Sequence, residues 1–302
     1  MFEQIGANNF KNRQHTGAYA EIEFDTYMEY KGKEEVQAIT TTLHYYEKGE
    51  GEPLILIHGI GQSTYTWRKN FEALAKNYHV YVLDLPGHGF SGKPEMSYSI
   101  EEFALSLEAF MNTQKIVSAH LCAFGEATGY VLDFAEHNAD RAKSIILISP
   151  IVSGGGGLLK GHGMISVFGS VACRMVVNPQ NMRMALEDCY FDRTLVSDEV
   201  VTEYYNGVAD KDFRVIARLC MNNYFDEDVI NALGAVKCPI LILVGNDDKI
   251  TGGPKSEFLN LNVGNGSFLT IRNCGYLVQE EKFERTNEAI HTFLKQTAVP
   301  PY

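Results

Sequence analysis

A series of short apolar runs, separated by amphipathic stretches, constrains this chain more than any other feature. The runs are Leu54–Ile57, Val80–Leu83, Ile116–Cys122, Ile145–Ile148, Ile240–Val244 and Phe268–Ile271. They are too short for helices and show no polar face, so both of their faces must be covered. The stretches between them repeat their apolar residues at helical spacing. This alternation predicts an α/β fold, with a mostly parallel sheet and helices on both sides. Two strand-like stretches with no helix between them, Glu21–Tyr30 and Gln37–Glu47, come first and read as an antiparallel pair. Local signals agree. Ser99 and Glu102 have capping-box spacing before a helix at Ile100–Asn112, and Asn178 followed by Pro179 reads as a cap and first helical position.

The length of 302 residues permits two domains, or one large domain with an insertion. Residues 1–19 form a polar lead-in. The sheet domain is assigned to 20–150 and 237–302, and the interval 151–236 to an inserted helical cap. The cap opens on Ser153-Gly154-Gly155-Gly156-Gly157 and carries helix-like stretches near 164–177, 179–190, 197–208 and 211–224. The glycine run reads as a hinge, because it has no P-loop lysine and hydroxyl pair.

Charge and cysteine usage exclude several function classes. Lys plus Arg is 26 and Asp plus Glu is 38, a net charge of −12. Such a chain repels phosphate backbones and anionic lipid heads, so neither nucleic acid nor a membrane is an expected partner. The first residues lack a basic and apolar leader, and no apolar run is long enough to span a bilayer. The six cysteines, Cys122, Cys173, Cys189, Cys220, Cys238 and Cys274, are scattered without ligand spacing. Reduced thiols in a cytoplasmic monomer or homodimer are expected, with no metal and no cofactor.

Three segments then carry a resemblance. His58-Gly59-Ile60-Gly61-Gln62-Ser63 follows one strand, and Asp84-Leu85-Pro86-Gly87-His88-Gly89-Phe90-Ser91-Gly92-Lys93-Pro94 follows the next. Gly245-Asn246-Asp247-Asp248-Lys249-Ile250 follows a late strand, and Trp67 opens the first helix. Across about 40–298 the chain resembles the α/β-hydrolase fold. It is most similar to the capped branch that includes epoxide hydrolases and carbon–carbon bond hydrolases. The fold implied is a mostly parallel sheet with antiparallel N-terminal strands and an inserted helical cap. A rival reading of Gly59-Ile60-Gly61-Gln62-Ser63-Thr64 as a dinucleotide fingerprint fails at its third glycine, where Thr64 stands.

The resemblance implies a serine on a tight turn after the third parallel strand, and a histidine after the last. Here the turn reads Ala123-Phe124-Gly125-Glu126-Ala127, with Gly125 at the serine position. The late loop reads Cys274-Gly275-Tyr276, and none of the nine histidines lies there. Cys122 falls inside the strand and reads as a core thiol. His58 reads as structural, and His291 as a helix-face residue. Of the expected triad only an acid persists, Asp248 or its neighbour Asp247. Glycine offers nothing to acylate, and a tyrosine with a pKa near about 10 is a poor base.

Some machinery outlives those losses. The resemblance implies backbone oxyanion donors at Ile60 and Glu126, which need no particular side chains. Removing the serine leaves a small vacancy at Gly125 that would admit water or a bulkier substrate. Glu126, beside it, is either a desolvated general acid or base, or a solvated residue at the helix N-terminus. Tyr276 either donates to a substrate oxygen, oriented by Asp248, or merely fills the imidazole space. Gln62, Ser63, Phe124 and Trp67 are candidate substrate contacts. The Met- and aromatic-rich cap, including Met164, Phe168, Met175, Tyr204 and Met221, suits an apolar, adaptable cavity. His162 beside the hinge reads as exposed.

The expected function is a non-hydrolytic enzyme of cyclase, lyase, isomerase or dehydratase type. Glu126, Tyr276 and Asp248 would be its catalytic residues, acting on a small apolar carbonyl compound without an acyl-enzyme. The alternatives are a non-catalytic ligand- or partner-binding protein, and a hydrolase that activates water directly.

Overall fold

A computed structural model of the chain describes residues 16–30, 33–151, 178–224, 226–251 and 266–297. The glycine run at 153–157, His162, Met164, Phe168, Cys173 and Met175 lie outside the described residues.

Among the described residues, eight strands form one sheet in the order β1-β2-β4-β3-β5-β6-β7-β8. They are β1 (Ala18–Tyr30), β2 (Lys33–Lys48), β3 (Pro53–Ile57), β4 (His79–Leu83), β5 (Ala119–Phe124), β6 (Ala142–Ile148), β7 (Ile240–Gly245) and β8 (Gly266–Ile271). The β1–β2 and β2–β4 pairs are antiparallel. Every pairing from β4 across to β8 is parallel. This is the α/β-hydrolase fold expected from the sequence. The side chains of Leu54–Ile57, Ile145–Ile148 and Leu121–Phe124 are buried on both faces, which explains why those runs have no polar alternation. β8 differs: as the edge strand it leaves much of its length exposed.

Helices cover the two faces. In chain order they are α1 (Phe71–Leu74), α2 (Ile100–Thr113), α3 (Ala127–His137), α4 (Pro179–Cys189), α5 (Asp198–Val208), α6 (Lys211–Asn222), α7 (Asp226–Ala235), α8 (Val278–Glu281) and α9 (Phe283–Thr297). Both arms of the Ser99–Glu102 capping box form, at 3.2 Å each. Asn178 caps α4 through the Asn181 N–H at 2.8 Å. α4 to α7 all fall between β6 and β7. Of these, α7 was not expected, and the last stretch, read as 211–224, ends as a helix at Asn222. No helix among the described residues is long and apolar enough to cross a membrane.

One boundary moves in a way that matters. The run Ile116–Cys122 suggests a strand over its whole length, but β5 starts at Ala119 and continues through Phe124. Lys115 has a φ of 57°, and the Ile116 N–H bonds back to Met111 O at 2.8 Å, so this segment closes α2. The sharp turn therefore follows directly on Phe124.

The parallel strands end along one edge, where the loops after β3, β5, β6, β7 and β8 converge. Asp84, just past β4, pins that edge. Its buried carboxylate accepts from the Thr64 N–H at 2.6 Å, from His44 Nδ1 at 2.8 Å and from the Phe90 N–H at 3.1 Å. Burial alone would raise its pKa, but the His44 hydrogen bond and charge outweigh this and hold it at about 2. Asp84→Asn breaks a buried pair and should cost about 3 kcal/mol. Urea unfolding of native and variant chains checks this.

Candidate active site

The turn after β5 is built around Gly125. Its φ is +59°, in the left-handed region, and it joins the sheet to the N-terminus of α3. The Gly125 N–H donates to Ile148 O at 3.0 Å, and Gly125 O accepts from the Ile151 N–H at 3.2 Å. The turn is thus hooked to β6 and to the chain that follows it. The vacancy expected here does not exist. A Cβ on Gly125 would lie 2.5 Å from the Tyr276 hydroxyl, which fills the space a serine would need.

Glu126 is 8% exposed and lies at the mouth of α3. Its side chain turns back, so that Oε2 accepts from the Ile60 N–H at 3.2 Å. Its own backbone N–H also bonds its carboxyl. The two expected oxyanion donors therefore do converge, but they hold the carboxyl of Glu126 and are not free for a substrate oxygen. Burial pushes the Glu126 pKa up to about 7, against the lowering pull of those two N–H groups. The solvated reading of Glu126 is excluded by this burial.

Tyr276 is buried against Phe124, with ring centroids 4.7 Å apart. Its N–H donates to Cys189 O at 2.7 Å and its carbonyl accepts from Ser149 Oγ at 2.7 Å. Its hydroxyl makes no hydrogen bond to another described residue. Burial, with Glu126 nearby, raises its pKa well above the ordinary value. Asp248 does not orient it. The Asp248 carboxylate is taken up by its own loop, through the Ile250 N–H at 2.8 Å, the Thr251 N–H at 3.1 Å and Thr251 Oγ1 at 2.6 Å. Burial raises its pKa too. Asp247 is the more exposed of the pair.

A cavity of about 40 Å³ lies between these groups and the helices inserted after β6. Glu126, Tyr276 and Gln62 supply its polar walls, and Ile60, Phe124 and Leu277 are among its apolar ones. Leu186 and Cys189 from α4, Tyr204 from α5 and Met221 from α6 close it. Asp248 is not part of the wall. Nor are Ser63 and Trp67, in contrast to expectation. Ser63 caps the 3-10 turn Thr64–Trp67, accepting from the Tyr65 N–H, and lines a smaller cleft beside the cavity. Trp67 is 0% exposed and packs in the core. The part of Cys189 in the wall is not readable from the sequence, where it is one of several scattered thiols.

The remaining polar groups are structural. His58 accepts from the Leu85 N–H at 3.0 Å, so its Nδ1–H is assigned as the donor to Gly59 O at 2.8 Å. Burial lowers its pKa and keeps it neutral. His291 contacts Tyr78 on the far side of the sheet edge, at 3.1 Å. Cys122 is a buried thiol whose pKa burial raises. The described cysteines are all free, and no group of His, Cys, Asp and Glu among the described residues is arranged to hold a metal.

Two neighbouring acids that the sequence does not mark bind the inserted helices to the core. Glu280 pairs with Arg68 at 2.5 Å and accepts from the Tyr190 hydroxyl at 2.7 Å and from the Tyr204 hydroxyl. Glu281 accepts from the Phe191 N–H at 3.1 Å, the Asp192 N–H at 2.8 Å and the Gly275 N–H at 2.7 Å. Gly275 is required for close approach, since a Cβ there would lie 2.2 Å from Cys189 O.

Comparison with known proteins places the chain. A family described as alpha/beta hydrolase fold matches residues 52–171. The chain is 24% identical to a meta-cleavage product hydrolase from Pseudomonas fluorescens, with a TM-score of 0.75 over 85% of this chain and 95% of that one. The chain has the α/β-hydrolase fold, and residues 52–171 carry the sequence pattern of that family. Among curated relatives, it is 26% identical over 262 residues to the dihydrolipoyllysine-residue acetyltransferase component of the acetoin cleaving system of Pseudomonas putida, covering 84% of this chain and 67% of the relative. It is 23% identical over 260 residues to the (E)-2-((N-methylformamido)methylene)succinate hydrolase of Acinetobacter baylyi, covering 85% of this chain and 95% of the relative.

Two measurements test this geometry. Gly125→Ser should destabilise the chain by about 2 kcal/mol, through the collision with the Tyr276 hydroxyl. Tyr276→Phe should recover part of that loss, so a double-mutant cycle by chemical denaturation gives a clear coupling. The second concerns pH. The folded-state pKa of Glu126, about 7, lies above its ordinary 4.5, so the folded chain binds this proton more tightly than the unfolded one. Stability from this group is present at low pH and falls as pH rises through that window. The stability difference of Glu126→Gln minus native should therefore grow between about pH 5 and 8, by on the order of 2 kcal/mol.

Proposed function

We propose that this chain is a non-hydrolytic member of its superfamily that moves protons on a small carbonyl compound. One observation carries the reading. A buried carboxyl with a pKa of about 7 lines the cavity, beside a turn residue, Gly125, with no nucleophile. A carboxyl of that kind is half protonated near neutrality, which suits a general acid or base. Tyr276, on the same cavity wall, adds a hydroxyl that can donate a hydrogen bond while burial holds its proton in place. Isomerases, dehydratases, lyases and cyclases can begin with proton transfer next to a carbonyl, and that step needs no acyl-enzyme. Asp248 takes no direct part in this reading, because its oxygens are already bonded within its loop.

The substrate's reacting end is small. A cavity of about 40 Å³ suits a carbonyl compound of a few heavy atoms. A longer substrate requires the Glu280 and Glu281 contacts to open. Those contacts also favour a second reading, a non-catalytic binder whose inserted helices stay closed. Direct activation of water by Glu126 remains the hydrolytic alternative, in line with the names of several relatives.

The test is exchange of α-hydrogens for deuterium in acetone and butanone, followed by NMR in D2O. The native chain should catalyse exchange, and Glu126→Gln, folded by circular dichroism, should lose at least about 100-fold. A fluorophosphonate probe should leave the native chain unlabelled. Equal exchange by native and variant chains overturns the acid–base role. Stoichiometric labelling at the turn overturns the non-hydrolytic reading.

A further inference from the structure

We infer that Glu126 and Tyr276 together form a side-chain oxyanion site, which takes a small singly charged carboxylate or enolate and binds it with uptake of one proton. This deepens the function proposed above and rests on it for the chemistry at Glu126.

The backbone donors cannot serve as the oxyanion site while Glu126 occupies them. The Ile60 N–H is spent on Oε2 at 3.2 Å, and the Glu126 N–H on the same carboxyl. The hydrogen-bonding capacity left for a ligand lies in side chains. Tyr276 lines the cavity with its hydroxyl in front of Gly125, where it can present an O–H to a ligand. A protonated Glu126 carboxyl supplies a second O–H, while its other oxygen keeps the backbone N–H groups satisfied. A tyrosine and a neutral carboxylic acid aimed at one oxygen form a recognised kind of oxyanion site in isomerases.

The charge balance follows from the surroundings of Glu126. The titratable groups that bear on it are Tyr130, Cys189, Cys220 and Tyr276, each held protonated by burial. His58 in the neighbouring loop is neutral, and Arg68 is paired with Glu280. Among the described residues, no free cation stands beside Glu126 to neutralise a second negative charge. Two carboxylates in one such cavity cannot both ionise. A ligand anion therefore enters with a proton from solvent, which bonds to Glu126 and turns it into a donor. No covalent bond to the ligand forms or breaks. Since Glu126 already titrates near pH 7, this uptake costs little at neutral pH.

Size sets the ligand class. A cavity of about 40 Å³, against the roughly 10–15 Å³ needed to admit one water, suits a small anion rather than a long one. Formate and acetate are of that size.

Acetate is the probe. Calorimetry of the full-length chain, repeated in buffers of different ionisation heat, should give about one proton taken up per acetate at pH values above the Glu126 pKa. Affinity should fall about tenfold per pH unit in that range and level off below it. Glu126→Gln keeps a donor but cannot titrate, so its acetate affinity should be independent of pH. Tyr276→Phe should weaken binding by about five- to tenfold without changing the proton count. The inference is overturned by acetate binding without proton uptake, by a pH dependence that survives in Glu126→Gln, or by no acetate binding at all. It is separable from the enzymatic reading. Proton-linked acetate binding without exchange activity keeps the site and removes the enzyme. Exchange activity that depends on Glu126, without linked binding, does the reverse.

Discussion

The hydrogen bond from the Ile60 N–H to the Glu126 carboxyl fixes what the rest of this site can be. A buried backbone N–H in a loop has no ladder partner and needs an acceptor. In this chain the acceptor comes from the residue next to the turn. That choice is consistent with the other replacements. With glycine at 125 the turn adopts its positive φ without strain, and the space in front of it receives the Tyr276 hydroxyl. With tyrosine at 276 there is no imidazole for Asp248 to orient, and Asp248 is satisfied by Ile250 and Thr251. Each position would be costly to change alone, which is what a coherent alternative arrangement requires.

The buried acids divide by their neighbours. Glu280 faces a guanidinium and two phenol hydroxyls, so its charge is compensated and it serves as a structural tie. Glu281 accepts three backbone N–H groups and does the same for another stretch of the inserted helices. Asp84 has His44 and two backbone donors, and is held ionised. Among the described residues Glu126 has only backbone dipoles to oppose its desolvation, and they leave its pKa at about 7. Side-chain partners, rather than burial itself, separate Glu280 and Asp84 from the carboxyl poised to exchange a proton: Arg68 and two phenols hold Glu280, and the His44 ring holds Asp84.

The fold was legible because strands buried on both faces have a plain signature. Leu54–Ile57 and Ile145–Ile148 have no polar residue on either side, and Ser99 and Glu102 announce α2 by spacing alone. Legibility failed where apolar character was local rather than architectural. Ile116 and Val117 look like the start of β5, yet Val117 is 82% exposed, because this stretch closes the end of α2. α7 does carry apolar residues, Val229, Ile230, Ala232 and Leu233, but they are confined to a ten-residue segment that includes Gly234 and so do not announce a helix by spacing alone. At the site, spacing located Gly125 and Tyr276, since the turn and the late loop are set by chain order. It did not reveal that the Glu126 side chain folds back, that Asp248 is consumed by its own loop, or that Trp67 and Ser63 face away. Those outcomes depend on rotamers and on partners distant in sequence.

Closure and chemistry are coupled through one short loop. Gly275 allows the Cys189 carbonyl to approach, and the next residue, Tyr276, donates its N–H to that carbonyl. The Gly275 N–H is held by Glu281, which also holds Phe191 and Asp192. The loop that positions the Tyr276 hydroxyl is thus joined, residue by residue, to the helices that roof the cavity. Separating the roof from the core would release the backbone on both sides of Tyr276 and let its hydroxyl leave the space in front of Gly125. Glu126 would then gain solvent, and with solvent its carboxyl would return toward ordinary acidity.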